Sequence, residues 1–385
     1  MKVLLGQLGS NGDCLYATVL AHQVKHDFPD CHLTWAISGL CKSVLRNNPH
    51  VDEIWEIPVE DWSTQEQAWH SFESDLTRRQ SGRNPAYDKV VLSQIWPNNF
   101  RNFDGSIRPS ILRAYGAEIT VPVETVIALD DEEISHVESF RHRHRLERFK
   151  HVILFESYSK SGQSYVTPEF AIEAANLIVD ELADSCVIVS SHLKFASDRP
   201  EIVDGSELTM RESAGLTHHC SLFIGCGSGL TVVATSQGAK VLPNIQLLKG
   251  DTSMYASFAQ DFEYFGRSSD HFVEMHNVPS ATLAEAVLIL ARDGVSQCRA
   301  KYHQDSATIS FDFYAMLIDR WLLQRMKFAD AARSTLITAA RYGWHPQLLH
   351  FARYVVAPKV LTDPTCRMPD VEHEMKQYLD TVWSI

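Results

Sequence analysis

The feature that most constrains this chain is a strand–glycine loop–helix unit that occurs twice, once at the start and once after residue 220. In MKVLLGQLGSNGDCLYATVLAHQV, Lys2 to Leu5 is a short apolar run suited to a buried strand, and Gly6, Gly9 and Gly12 punctuate the segment after it. From Asp13 the period changes. Tyr16, Val19, Leu20 and Val24 then recur at helical spacing, the stripe of an amphipathic helix. In LFIGCGSGLTVVA, Leu222 to Ile224 reads as a strand, Gly225 to Gly229 as a second loop and Leu230 as the start of another helix. Loops of this kind sit beyond the carboxyl ends of parallel strands, where ligands bind and where a helix N-terminus offers N–H groups to an anion.

Between and after these units the pattern is that of α/β proteins. His32–Ile37, Val51–Ile57 and Asp88–Leu92 read as strands, with a helix expected around 39–47 and helix-compatible sequence at 59–80. Asp130 to Lys150 reads as one helix, with an Asp130/Glu133 capping box and arginines gathered toward its end. His151–Phe155 and Cys186–Val189 are strands separated by a helix that Thr167 caps and Pro168 begins. From Ser310 the pattern is largely helical. The expected architecture is α/β with two facing Rossmann-like domains, 1–148 and 149–305, each with a parallel sheet, followed by a helical extension at 306–385 that packs back on the body or serves in a homo-oligomer contact.

The chain has 385 residues, enough for two full cores, and a formal net charge of −13, which argues against a broad nucleic-acid footprint. No run approaches the ~18–20 apolar residues of a membrane helix, and the N-terminus lacks the basic leader of a signal peptide, so a cytoplasmic protein is expected. Eight scattered cysteines without a C-x-x-C pair fit free thiols rather than disulfides or a zinc site, and no metal is expected. His218, His219 and Cys220 are adjacent, but neighbours on a helix point apart.

Asp13 stands where the first loop becomes a helix, a place that suits either a helix cap or a general base. The spacing is not G-x-G-x-x-G, so a dinucleotide site is not indicated. Ser190, Ser191 and His192 follow a strand and should face the cleft, as nucleotide contacts or as ordinary loop residues. Trp96 to Pro109 is an aromatic- and amide-rich loop able to line an acceptor cleft or to pack on its own rings.

Two segments together resemble a known family. MKVLLGQLGSNGDCLYATVL is similar to the opening of the ADP-heptose:lipopolysaccharide heptosyltransferases, glycosyltransferase family 9, with its S-x-G-D loop before a helix. GCGSGLTVVATSQGAKVL resembles that family's D-T-G loop and helix, and ELTMRESAGLTHHCSLFIG matches the segment preceding it. The resemblance runs from about Met1 to Leu290, strong at its two ends and thin between. It implies the GT-B architecture and an inverting, metal-independent transfer of a sugar from a nucleotide-diphosphate donor to a hydroxyl of a glycan, lipid-linked glycan or protein. It places the general base on Asp13, the acceptor-side loop on Ser10, Asn11 and Gly12, and donor contacts on Lys160, Gln163, Gly227, Ser228 and Gly229, to which the strand-end position adds Ser190 and His192. The sequence departs from the family at two donor positions. Gly227 stands where the family carries the aspartate before T-G, and Gln163 where it carries a lysine beside the phosphates, with Lys160 three residues earlier as a substitute. Two alternatives share the fold: a nucleotide-sugar epimerase, and a catalytically silent protein that binds a partner.

Overall fold

The computed structural model describes residues 1–159, 162–190 and 194–385. Its first sheet contains β1 (Lys2–Gly6), β2 (His32–Ser38), β3 (Glu53–Ile57) and β4 (Lys89–Leu92) in the order β3-β2-β1-β4, all parallel. The second contains β5 (His151–Glu156), β6 (Ser185–Ser190), β7 (Ile202–Asp204), β8 (Leu222–Gly225), β9 (Asn244–Leu248) and β10 (Phe272–His276) in the order β10-β9-β8-β5-β6-β7, again all parallel.

Alternation of side chains along each strand sorts the core into layers. In β1, Leu4 faces α2 (Gln65–Gln80) with Trp69 and Phe72, whereas Val3 and Leu5 face α1 (Asn11–Asp27) on the other side. In β5, Ile153 and Phe155 join the apolar face of a later helix (Pro168–Glu181), while Val152 and Leu154 belong to the same core as Val3 and Leu5. One continuous apolar core therefore runs between the sheets, and α1 is buried on nearly every side within it.

In chain order the remaining helices are α3 (Arg108–Arg113), α4 (Asp131–Arg143), α5 (Pro168–Glu181), α6 (Glu212–Leu216), α7 (Gly229–Ala234), α8 (Ser253–Ala256), α9 (Phe258–Tyr264), α10 (Ser280–Asp293) and α11 (Val295–Tyr302). The segment expected to be helical at 39–47 forms only a 3₁₀ turn at Lys42–Leu45. The helix expected to run from Asp130 to Lys150 keeps its capping box but stops at Arg143, because Arg145 turns left-handed (φ 51°) and a 3₁₀ turn follows. Its arginines neutralise local carboxylates: Arg141 donates to Glu138 at 2.8 Å and Arg143 to Glu207 at 2.7 Å.

The C-terminal helices α12 (Phe311–Trp321), α13 (Phe328–Tyr342), α14 (Pro346–Phe351), α15 (Ala357–Thr362) and α16 (Pro369–Ser384) pack back on the body. They do so through rings of the 96–103 segment. Phe100 stacks on Trp321 with centroids 5.6 Å apart, and Phe103 stacks on Tyr314 at 6.3 Å. A buried charge network adds direction to this contact, with Asp104 accepting from Arg113 of α3 at 2.5 Å and from Arg341 of α13 at 3.0 Å. Buried pairs of this kind contribute little net stability but leave a costly lone charge when one partner is lost.

Candidate functional site

The two glycine loops meet. Ser10 has the extended backbone of a helix N-cap, and Asp13, at the third position of α1, accepts from the Ser10 N–H and hydroxyl, each at 3.4 Å. The helix cap is therefore Ser10, with Asp13 as its partner across the first turn, and Asp13 also lines an open pocket. The loop's shape is set from beneath by Gln94, just past β4, whose Oε1 accepts from Leu8 N at 2.8 Å and Gly9 N at 3.1 Å. No local motif marks buried Gln94 in the sequence, because its partners belong to the other end of the domain.

Burial raises the Asp13 carboxyl from 3.8 to about 6, against the hydrogen bonds from Ser10 and the positive charge of Arg108. Arg108 is itself buried, donating to Asp261 of α9 and, at 3.2 Å, to the Ser257 carbonyl, with its guanidinium 3.5 Å above the Phe258 ring. A carboxylate half-buried at a cleft and titrating near 6 is a stronger base than a free one at 3.8 and remains ionised at neutral pH.

The second loop is organised around Glu156, the last residue of β5, which no sequence motif marks either. Its buried carboxylate accepts from the amides of Cys226 (2.7 Å) and Leu230 (3.1 Å), from the Thr231 hydroxyl (3.0 Å) and from the Ser228 hydroxyl. Burial raises its pKa and these four donors oppose the shift. The Gly227 amide turns the other way and donates to Gln246 at 2.8 Å. An acidic side chain of the protein thus takes up part of the anion-attracting end of α7 that a diphosphate was expected to use. Among the described residues no group accepts from the amides of Ser228 and Gly229, which border the cleft.

Gly227 has φ +64°, and a Cβ there would lie 2.8 Å from Leu248 and 3.1 Å from the Ala256 carbonyl. An aspartate here, as in the resembled family, would have to adopt a left-handed backbone and crowd the Ala256 carbonyl.

A cleft of about 890 Å³ lies between the loops. Ser10, Asn11 and Gly12 border it from the first loop, Ser228 and Gly229 from the second, and Ser190 and Thr209 from the strand ends and loops beside them. Tyr158 and Trp62 lend rings to its walls. Gln163 does not border it; the Gln163 carbonyl accepts from Lys249 N at 2.9 Å. Lys160 and His192, together with Ser191, fall outside the described residues.

A second, smaller pocket of about 300 Å³ shares Ser10 and Gln65 with the cleft and has Asp13 in its wall. The rest of its lining is mainly apolar: Trp96, Phe100, Phe103 and Ile107 come from the aromatic loop, and Phe313 and Leu317 from α12. The 96–109 segment thus lines a cavity beside Asp13, and the C-terminal extension completes it.

Among the described residues no three His, Cys, Asp or Glu side chains are grouped to hold a metal ion. His219 pairs with Glu138 at 3.0 Å and His218 meets the Gly238 carbonyl at 3.2 Å, so the two rings are engaged separately. All eight cysteines are free and buried. No described helix is long and apolar enough to cross a membrane.

Two parallel α/β sheets, each delivering a glycine loop to a shared cleft, make this a GT-B fold. The structure of a glycosyltransferase family 9 protein from Veillonella parvula DSM 2008 is 15% identical with a TM-score of 0.50, the match covering 84% of this chain and 97% of that one. The E. coli ADP-heptose lipopolysaccharide heptosyltransferase II is 13% identical over 76% of this chain and 100% of its own, with a TM-score of 0.47. A Listeria monocytogenes protein assigned as a UDP-N-acetylglucosamine 2-epimerase is 11% identical over 80% and 92%, with a TM-score of 0.48. The resemblance first carried by two loops thus extends to the fold. No protein-family model and no curated protein sequence matches the chain.

Proposed function

We propose that the protein is an inverting, metal-independent glycosyltransferase that moves a sugar from a nucleoside-diphosphate donor to an acceptor hydroxyl, with Asp13 as the general base. The observation that carries this reading is the placement of Asp13. A carboxylate with its pKa lifted to about 6 stands where a donor-sized cleft and a separate small pocket share a wall. In an inverting displacement the acceptor hydroxyl attacks the anomeric carbon opposite the leaving diphosphate, and the base takes the hydroxyl proton as the new C–O bond forms. We place the donor in the cleft against the 149–305 unit and the acceptor over Asp13 on the 1–148 unit, with 306–385 completing the acceptor side. The open amides of Ser228 and Gly229 are the loop's contribution to the leaving phosphate, with Lys160, Ser190 and His192 the remaining donor contacts, whereas Gln163, which lies away from the cleft, is not one of them.

The test is release of nucleoside diphosphate from a panel of nucleotide sugars in EDTA, with and without candidate acceptors. The reading predicts turnover with one donor class that falls by about 10²–10⁴ in Asp13→Asn, the usual range for losing a general base. Full turnover in a folded Asp13→Asn protein contradicts it.

A specific observation favours a second reading. Glu156 already occupies part of the second loop, and the strained backbone at Gly227 disfavours the family's aspartate, as a protein that has given up donor turnover would show. Nucleotide-sugar binding without release or epimerisation of the sugar selects that reading.

A further inference from the structure

We propose that the acceptor carries its hydroxyl on an apolar aromatic body of one or two rings, and that the pocket beside Asp13 holds that body. The proposal deepens the transferase reading and rests on it. The pocket's volume of about 300 Å³ is roughly twice the ~150 Å³ cavity that takes up a benzene ring, which suits two fused rings.

Its chemistry is one-sided. Phe100, Phe103, Ile107, Ile111 and Leu317 supply apolar surface, and the polar side chains are few: Ser10 and Gln65, shared with the cleft, and Asp13, Gln94 and Tyr255. Of these, Gln94 is already committed to two backbone amides, and Asp13 alone offers an ionised acceptor. A bare sugar brings several hydroxyls, each costing about 1–3 kcal/mol if it enters such a site unpaired. An aromatic alcohol or phenol brings one hydroxyl, which Asp13 can accept.

The wall is also rigid in the way that suits a flat ligand. Phe100 lies only 4° from parallel with Trp321, so the aromatic face is fixed by the packing of the C-terminal helices. Trp96 and Phe313 are 41% and 43% exposed although both line the pocket, which places large apolar side chains where a ligand would cover them.

The experiment titrates the full-length protein with 2-naphthol, 1-decanol and methyl α-glucopyranoside, following tryptophan fluorescence and heat, and in parallel with nucleoside diphosphates by thermal shift. We expect 2-naphthol to bind at least tenfold more tightly than either other probe. Phe313→Asp, a change at a partly exposed position, should weaken it tenfold or more, and Phe313→Leu should keep it within about threefold. Tighter binding of decanol or of the glucoside overturns the proposal, as does naphthol affinity that Phe313→Asp leaves unchanged. A nucleoside-diphosphate response without naphthol binding overturns the proposal and leaves the transferase reading standing. Naphthol binding without any nucleoside-diphosphate response overturns the transferase reading, and with it the assignment of the ligand as an acceptor.

Discussion

Gly12 and Gly229 approach each other backbone to backbone, so closely that a Cβ on Gly12 would lie 3.3 Å from the Gly229 Cα. The contact joins the N-terminal turns of α1 and α7, one from each sheet, and fixes the separation of the two loops. A larger side chain must push them apart. Gly12→Leu should lower stability by about 1–3 kcal/mol through overpacking and abolish nucleotide binding, whereas Gly12→Ala should do each to a small extent. Chemical denaturation and ligand titration of the two variants check this.

The raised pKa of Asp13 has a stability consequence whose sign is unusual for an aspartate. Its folded pKa, about 6, lies above the unfolded 3.8, so the native state holds the extra proton between those values and stability contributed by this residue falls as pH rises through that window. Above pH 6 the ionised group carries a penalty of at most about 3 kcal/mol, reduced by whatever water reaches it. Asp13→Asn should therefore be more stable than wild type at pH 8, with the difference shrinking toward pH 4. In wild type, activity should rise with pH through about 6 as the base ionises. Denaturation curves at the two pH values and a pH–rate profile test both statements.

Much of this arrangement is legible in local sequence. Lys2 to Leu5, the glycines after them and the helical stripe from Tyr16 mark the first loop, and Thr167-Pro168 marks a helix start that Thr167 does cap. These signals are short-range, set by strand alternation and capping chemistry. The rest is held by distant partners. Glu156 is one acid at the end of an apolar strand, and its role exists only because residues 226–231 fold over it. The pocket beside Asp13 needs Phe313 and Leu317, some three hundred residues later. β7, β9 and β10 are three to five residues long, too short to show a period between their loops. The 130–150 segment reads as a single helix because its charge pattern continues smoothly past Arg145, where the backbone turns.

Arg108 links the halves of the molecule to the electrostatics of Asp13. Replacing it with Met should cost about 3–5 kcal/mol, because Asp261 is left buried without its cation. It should also move the activity's acid limb upward in pH, since Arg108 lowers the Asp13 pKa. Arg108→Met with Asp261→Asn should recover part of the stability and leave the acid limb shifted. Melting curves paired with pH profiles separate the two effects.

Glu156→Gln replaces an acceptor of four hydrogen bonds with a group that turns an NH₂ toward some of the same donors. A loss of about 1–3 kcal/mol is expected, together with weaker donor binding as Ser228 and Gly229 shift. Gly227→Asp, which introduces the residue type of the resembled family, should destabilise the protein and fail to improve donor binding, because a side chain there takes a left-handed backbone and crowds the Ala256 carbonyl. Thermal melts and nucleotide titrations of the two variants decide the point.

The most direct test of the central claim is a thermal-shift titration of the wild-type protein with ADP, UDP, GDP, dTDP and CMP and with their sugars, in the presence and absence of EDTA. A ligand at a hundred times its dissociation constant adds about 2.7 kcal/mol, a shift of several degrees in melting temperature. The account predicts such a shift with one nucleoside diphosphate and its sugar, unchanged by EDTA and lost in Gly12→Leu. No shift with any of them would contradict it.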